Sequence, residues 1–258
     1  QASAAFDERA PVLRALKYLR QEYPALHLCA DVCVCAYTDH GHCGVLNDEG
    51  LLDNVASVDT IARLALQYVR AGAHMVAPSD MMDDRVRAIK ETLARHGLAE
   101  RAAVMSYAAK YASAFYGPFR DACASAPGKA SLRPNPMKDR SMYQLPFGSQ
   151  GLGRKALWRD ARDADVVMVK PGGPYLDLVS VARQQLDVPV AIYHVSGEYA
   201  MLWHAAQAGA LDLKDAVLET LQGFRRAGAS VLITYYAPQV LEWLHEDSAA
   251  ANAAGVVF

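Results

Sequence analysis

A chain of 258 residues, 52% hydrophobic and with a formal net charge of −2, can bury one large core and carries no cationic excess for nucleic acid or an anionic membrane surface. No apolar run is long enough to span a bilayer and no secretory leader opens the sequence, so the expected location is cytoplasmic, with any targeting segment lying upstream of Gln1. Five cysteines, an odd count without a secretory signature, argue for reduced thiols or metal ligands rather than a disulfide framework.

Val12, Leu16 and Leu19 share one face and predict a helix over 11–23, stopped by Pro24; the first strand is expected over 26–34. Ile61, Leu64, Ala65, Tyr68 and Val69 form a helical stripe ended by Gly72, before a strand at 74–77. Val86, Ile89 and Leu93 mark a helix closed by Gly97, and 103–106 is the next strand. After a long polar segment come strands at 166–169 and 188–193, with a helix over 175–186 between them. Helices over 198–207 and 213–227 precede a last strand at 230–234 and a closing helix at 238–245. Ala-Gly-Ala recurs at 71–73, 208–210 and 227–229, where each predicts a helix end.

Repeated strand-then-helix order predicts a parallel sheet, and Lys110, Lys170, Ser196 and Tyr235 fall just after strands, where a (β/α) barrel carries its active site. A closed barrel needs eight strands and the pattern yields six. Either the first two strand-helix units are missing from the chain or the sheet is open and doubly wound.

Two stretches carry chemistry. In DVVMVKPGG (165–173) a buried apolar strand delivers Lys170 to its end, and VMSYAAK (104–110) delivers Lys110 in the same way. Desolvation lowers a lysine pKa, and a neutral amine can attack a ketone to form a Schiff base; the alternative for a lone lysine is a snorkelling or ion-paired side chain. In DVCVCAYTDHGHCG (31–44), Cys33 and Cys35 are two apart, so extended backbone would put both thiols on one face, and Cys43 can return across the Gly41 turn. Three thiolates suit Zn²⁺ and leave its fourth position open, as catalytic zinc requires. The alternative is a pair of buried core thiols with His40 and His42 on the surface. Cys29 and Cys123 read as structural.

The runs DVCVCAYTDHGHCG, MVAPSDMMDDRV, VMSYAAKYASAFYGPFRDA, YQLP, VMVKPGGPYLD, YHVSGEYAML and ITYYAPQ, in that order, resemble the porphobilinogen synthase (5-aminolevulinate dehydratase) family from Asp31 to Leu244. The resemblance implies a single TIM-barrel, (β/α)₈ domain over 1–258 with about six of its eight units present. The arm and first two units would have no counterpart here, leaving two open sheet edges. It implies condensation of two 5-aminolevulinate molecules to porphobilinogen in haem biosynthesis, by a homo-oligomer that is an octamer in the family. It makes Lys170 the Schiff-base lysine and Lys110 its neighbour, implicated in a second imine. Ser196 and Tyr235 would hold the carboxylate of the first substrate, and Arg120, Arg140 and Gln144 the second. Cys33, Cys35 and Cys43 match the zinc-type ligand set, and Asp31, Ser79 and Phe119 the pocket wall. No organic cofactor is implied. Because Arg159 stands near where some members carry a carboxylate, no allosteric Mg²⁺ site is expected. Residues 124–142 correspond to the family's active-site lid, lengthened here by KASLRPNPMK (129–138), which is expected to be surface-exposed and mobile. Two further readings are a class I aldolase-like enzyme using Lys170 on another carbonyl, and an inactive fragment that binds zinc or associates with complete subunits.

Overall fold

The computed structural model describes residues 2–123 and 137–253. The lid segment and its insert therefore lie for the most part outside the described residues. Helix α1 (Pro11–Glu22) starts on a proline, whose missing N–H is not needed in a first turn, and buries Leu13 and Leu16. Strand β1 (Cys29–Val32) is followed by a short hairpin, β2 (Val45–Leu46) with β3 (Leu52–Asp53). Asp53 then caps α2 (Asn54–Arg70) by accepting from the Ala56 N–H at 3.0 Å. The chain continues through β4 (Met75–Pro78), α3 (Arg85–Arg95), β5 (Ala103–Lys110) and the short α4 (Gly117–Ala122). Next come α5 (Gln150–Asp160), β6 (Val166–Lys170), α6 (Leu176–Gln185) and β7 (Val190–His194). Helices α7 (Ser196–Gln207) and α8 (Leu213–Ala227), strand β8 (Val231–Thr234) and helix α9 (Ala237–Ala253) close it.

Among the described residues six strands form one parallel sheet in the order β1-β4-β5-β6-β7-β8, curled as a half-barrel. Side chains alternate across it. On β6, Val167 and Val169 face the helices and join a core with Ile61, Leu64, Ile89, Leu157 and Leu178, whereas Val166 and Met168 face inward with Ala77, Met105, Tyr107 and Ala191. Among the described residues the inner cluster is built from strand residues only, which separates a barrel-type sheet from the doubly wound alternative, where helices cover both faces. Among the described residues β1 and β8 are the sheet's edges, and there Cys29 and Val231 are exposed.

All three Ala-Gly-Ala helix ends have their glycine at positive φ: Gly72, Gly209 and Gly228. Other expectations need correction. Strand β1 is shorter than 26–34, because the chain leaves the sheet before Cys33 and turns through a 3₁₀ segment at Cys35–Tyr37. Thus Cys33 and Cys35 do not share the face of a strand. Strand β5 runs four residues past its expected end. The hairpin, α4 and α5 carried no usable periodicity: two-residue strands are too short, and Gly151 and Gly153 dilute the apolar stripe of α5. Cys29 lies on β1, and neither it nor Cys123, both exposed, belongs to the thiol cluster described below.

Candidate active site

Lys170 ends β6 and Lys110 ends β5, and the two are paired in the ladder. Plain alternation from Met105 and Tyr107 would send Lys110 to the helix side with Val104 and Ser106. A register shift between Ser106 and Ala109 inserts one extra residue on β5 and turns Lys110 inward, next to Lys170. Lys110 Nζ donates to the Ser79 carbonyl at 2.6 Å. Lys170 Nζ lies 4.0 Å from the centre of the Tyr193 ring, 5.0 Å from Tyr107 and 5.5 Å from Tyr116. Burial among these rings, reinforced by the charge of Lys110, pushes the Lys170 ammonium down from 10.5 to about 7. The amine is therefore a competent nucleophile near neutral pH.

The Sγ atoms of Cys33, Cys35 and Cys43 lie within 4.8 Å of one another, and no other such group occurs among the described residues. Ligands at about 2.3 Å from a common ion stand at this spacing, so the donor set fits a thiophilic divalent metal. Hydrogen bonds from Cys33 and Cys35 hold the Cys43 thiol well below its usual range, helped by the charges of Lys110 and Arg140, whereas Cys33 is pushed up. The loop is held from behind: the Tyr143 hydroxyl accepts from the Cys43 N–H at 3.2 Å and lies 3.2 Å from His42 Nδ1. His42 Nε2 is 3.2 Å from the Met137 carbonyl. His40 and His42 are buried, against the surface reading, and serve the loop without joining the thiol cluster. Met137, at the end of the insert expected to be surface-exposed, is buried too.

Arg140 is buried and donates to the Gly41 carbonyl at 2.9 Å, which ties it to the cysteine loop. Arg120 packs over the Tyr116 ring at 5.3 Å, and burial and the charge of Arg140 both lower its pKa. Gln144 is 3% exposed, yet among the described residues neither atom of its amide has a hydrogen-bond partner, and Arg120 Nε has none either. Buried polar atoms of this kind are costly unless a ligand completes them. The Ser79 hydroxyl donates to Asp31 at 2.7 Å, and the Asp31 carboxylate acts on both Lys170 and Tyr107. Ser196, first residue of α7, accepts from the Phe119 N–H at 3.1 Å and donates to the Phe115 carbonyl at 3.3 Å. Its neighbour has to be glycine, since a Cβ at Gly197 would meet the Phe115 carbonyl oxygen at 2.6 Å. Phe119 and Tyr235 are exposed, the latter beside Tyr193 and Tyr199.

Several contributors were not singled out from the sequence. Tyr107, Tyr116 and Tyr193 surround Lys170; Tyr107 is two residues from Met105 on the inner face, which was a readable signal. Glu198 accepts from the N–H groups of Gly172, Gly173 and Val195 at 3.2, 2.6 and 2.7 Å. Arg85, fully buried behind the sheet, bonds Asp160, Ser106 and the carbonyls of Met82 and Tyr107. It anchors the turn that offers Ser79 to Lys110. Arg159 pairs with Asp83 and Asp160.

A family model described as Delta-aminolevulinic acid dehydratase matches residues 1–243. A Delta-aminolevulinic acid dehydratase of Pongo abelii is 54% identical over 249 residues, covering 96% of this chain and 73% of its own length. The one from Dictyostelium discoideum is 48% identical, with 95% and 72% covered. A crystal structure of the Toxoplasma gondii enzyme in complex with its reaction product porphobilinogen superposes with a TM-score of 0.89 at 41% identity. That match covers 95% of this chain and 68% of the other.

Proposed function

The chain belongs to the delta-aminolevulinic acid dehydratase family, and from that premise we propose that it condenses two molecules of 5-aminolevulinate to porphobilinogen, as a lyase of haem biosynthesis, through an imine on Lys170. The observation that carries the residue assignment is the paired register of Lys110 and Lys170 at adjacent strand ends, with Lys170 held near pKa 7. At neutral pH about half of such a lysine is free amine, whereas a lysine at 10.5 is roughly sixteen hundred times less available.

Lys170 attacks the ketone carbon of the first substrate; the carbonyl oxygen leaves as water and an electron-withdrawing C=N remains. Ser196 and Tyr235 hold that molecule's carboxylate. Arg120 and Arg140 hold the carboxylate of the second through paired N–H bonds, and Gln144 lends its amide; the orphaned Gln144 and Arg120 atoms support this reading. Lys110, fixed by the Ser79 carbonyl, stands where a second imine or a proton relay is needed. Asp31 and Ser79, hydrogen-bonded to each other, face the amino groups, and Phe119 closes the wall. Cys33, Cys35 and Cys43 would hold zinc, and the chemistry that ion supplies when bound is Lewis-acid polarisation of an oxygen. A class I aldolase would have no use for the thiol triad.

The test is turnover of 5-aminolevulinate to a pyrrole, with and without a chelator. Pyrrole that forms and is lost on chelation is the expected result. Turnover that resists chelation removes catalytic zinc, and an absence of pyrrole from the zinc-loaded chain removes the proposal.

A further inference from the structure

The buried carboxylate of Glu198 has no part in the steps above, yet it gathers backbone N–H groups from two strand ends. Its Oε2 accepts from Gly172 at 3.2 Å and Val195 at 2.7 Å, and its Oε1 from Gly173 at 2.6 Å. Burial pushes its pKa up and the three N–H bonds oppose that. A glutamate in the first turn of a helix ordinarily reaches back only to the N–H at the cap, here Val195. The bonds to Gly172 and Gly173 are extra, and they cross from α7 to the turn that follows Lys170.

What these bonds join is informative. Gly172 and Gly173 fix the exit of the strand that carries Lys170, and Val195 immediately precedes Ser196. On the reading given above, Lys170 takes the ketone and Ser196 the carboxylate of one and the same molecule. In that molecule a pair of methylene groups sets the distance between the two. The geometry points to Glu198 as a positioning residue that fixes the span between Lys170 and Ser196, and so selects 4-oxo acids over longer oxo acids at the first substrate position. This inference rests on the imine reading of Lys170. A displacement of about 1 Å between such anchors is enough to cost on the order of a hundredfold in rate.

The experiment uses two amine-free probes, 4-oxopentanoate and 5-oxohexanoate, on the zinc-loaded chain. Each forms an imine with loss of water, and borohydride delivers hydride to the C=N carbon, leaving a secondary amine that peptide mass spectrometry locates. The wild type is expected to be labelled on Lys170 at 4-oxopentanoate concentrations at least about tenfold below those needed for 5-oxohexanoate. In Glu198→Gln, which puts an NH₂ group against a backbone donor, that preference shrinks at least about fivefold while zinc content and far-UV circular dichroism stay unchanged. Loss of a helix cap alone would weaken both probes alike. A folded Glu198→Gln with wild-type preference overturns the inference, as does a wild type that does not distinguish the probes. Should Glu198→Gln fail to fold, Glu198→Asp, which keeps the charge but is one methylene short of spanning both turns, carries the same expectation and the same refutation. An unlabelled wild-type Lys170 overturns the imine reading itself, a different result from a labelled enzyme with unchanged preference.

Discussion

Lys170 behaves as it does because of its neighbours: aromatic faces remove its water, and Lys110 adds a repelling charge. The depressed value sets the direction of the pH dependence. The amine is reactive only when neutral, so imine formation should fall about tenfold per unit as pH drops below about 7 and level off above it. Replacing Lys110 with Met removes one of the two causes, and the midpoint of that profile should move upward; a midpoint that stays or moves down contradicts the coupling. Trapping rate against pH, for wild type and variant, reads both. For the second substrate, Arg140→Lys keeps the charge but gives up the paired geometry, and charged hydrogen bonds of about 1.5–3 kcal/mol imply a KM raised roughly tenfold to a hundredfold. An unchanged KM would mean that Arg140 serves the cysteine loop through Gly41 and nothing more. At this scale much was legible: lysines after apolar runs and three cysteines near a glycine turn stand out by type and spacing, and the structure brings each set together. Glu198 did not, because its worth lies in backbone groups twenty-five and twenty-six residues away, and no side-chain pattern encodes those.

At the scale of elements, the site depends on one irregularity. The extra residue in β5 decides which face Lys110 occupies, and alternation read from the sequence gives the wrong face. Deleting Ala108 would make the strand regular while leaving Lys110 opposite Lys170, so activity within about tenfold of wild type is the expected outcome. Inserting an alanine after Ala109 turns Lys110 to the helix side and should abolish its contribution. Steady-state rates of the two variants decide it, and equal effects would show that the bulge does not aim the lysine. The same limit explains the cysteine loop. Spacing correctly proposed a triad, yet the sulfurs converge through a 3₁₀ turn after β1 rather than along a strand. Helix ends were easier to read, since glycine at positive φ marks them directly.

Across the whole molecule, the strand-helix alternation sufficed for a parallel sheet of six strands, because each apolar run is locally complete, but it left barrel and doubly wound sheet open, and the family resemblance made that choice. The hairpin, α4 and α5 escaped because tertiary contacts, not periodicity, hold them. Metal and fold should be linked, as the thiols converge only in the folded chain. Zinc at a hundredfold over its Kd adds about 2.7 kcal/mol, a rise of about 5–10 °C in Tm that chelation or Cys43→Ser should remove. A Tm indifferent to zinc would argue against the triad as ligands. The most direct test of the central claim is borohydride reduction of the chain in the presence of 5-aminolevulinate, followed by peptide mapping. The account predicts a stable adduct on Lys170, lost in Lys170→Ala together with roughly a thousandfold or more of turnover. An enzyme that makes porphobilinogen while Lys170 stays unmodified would contradict it.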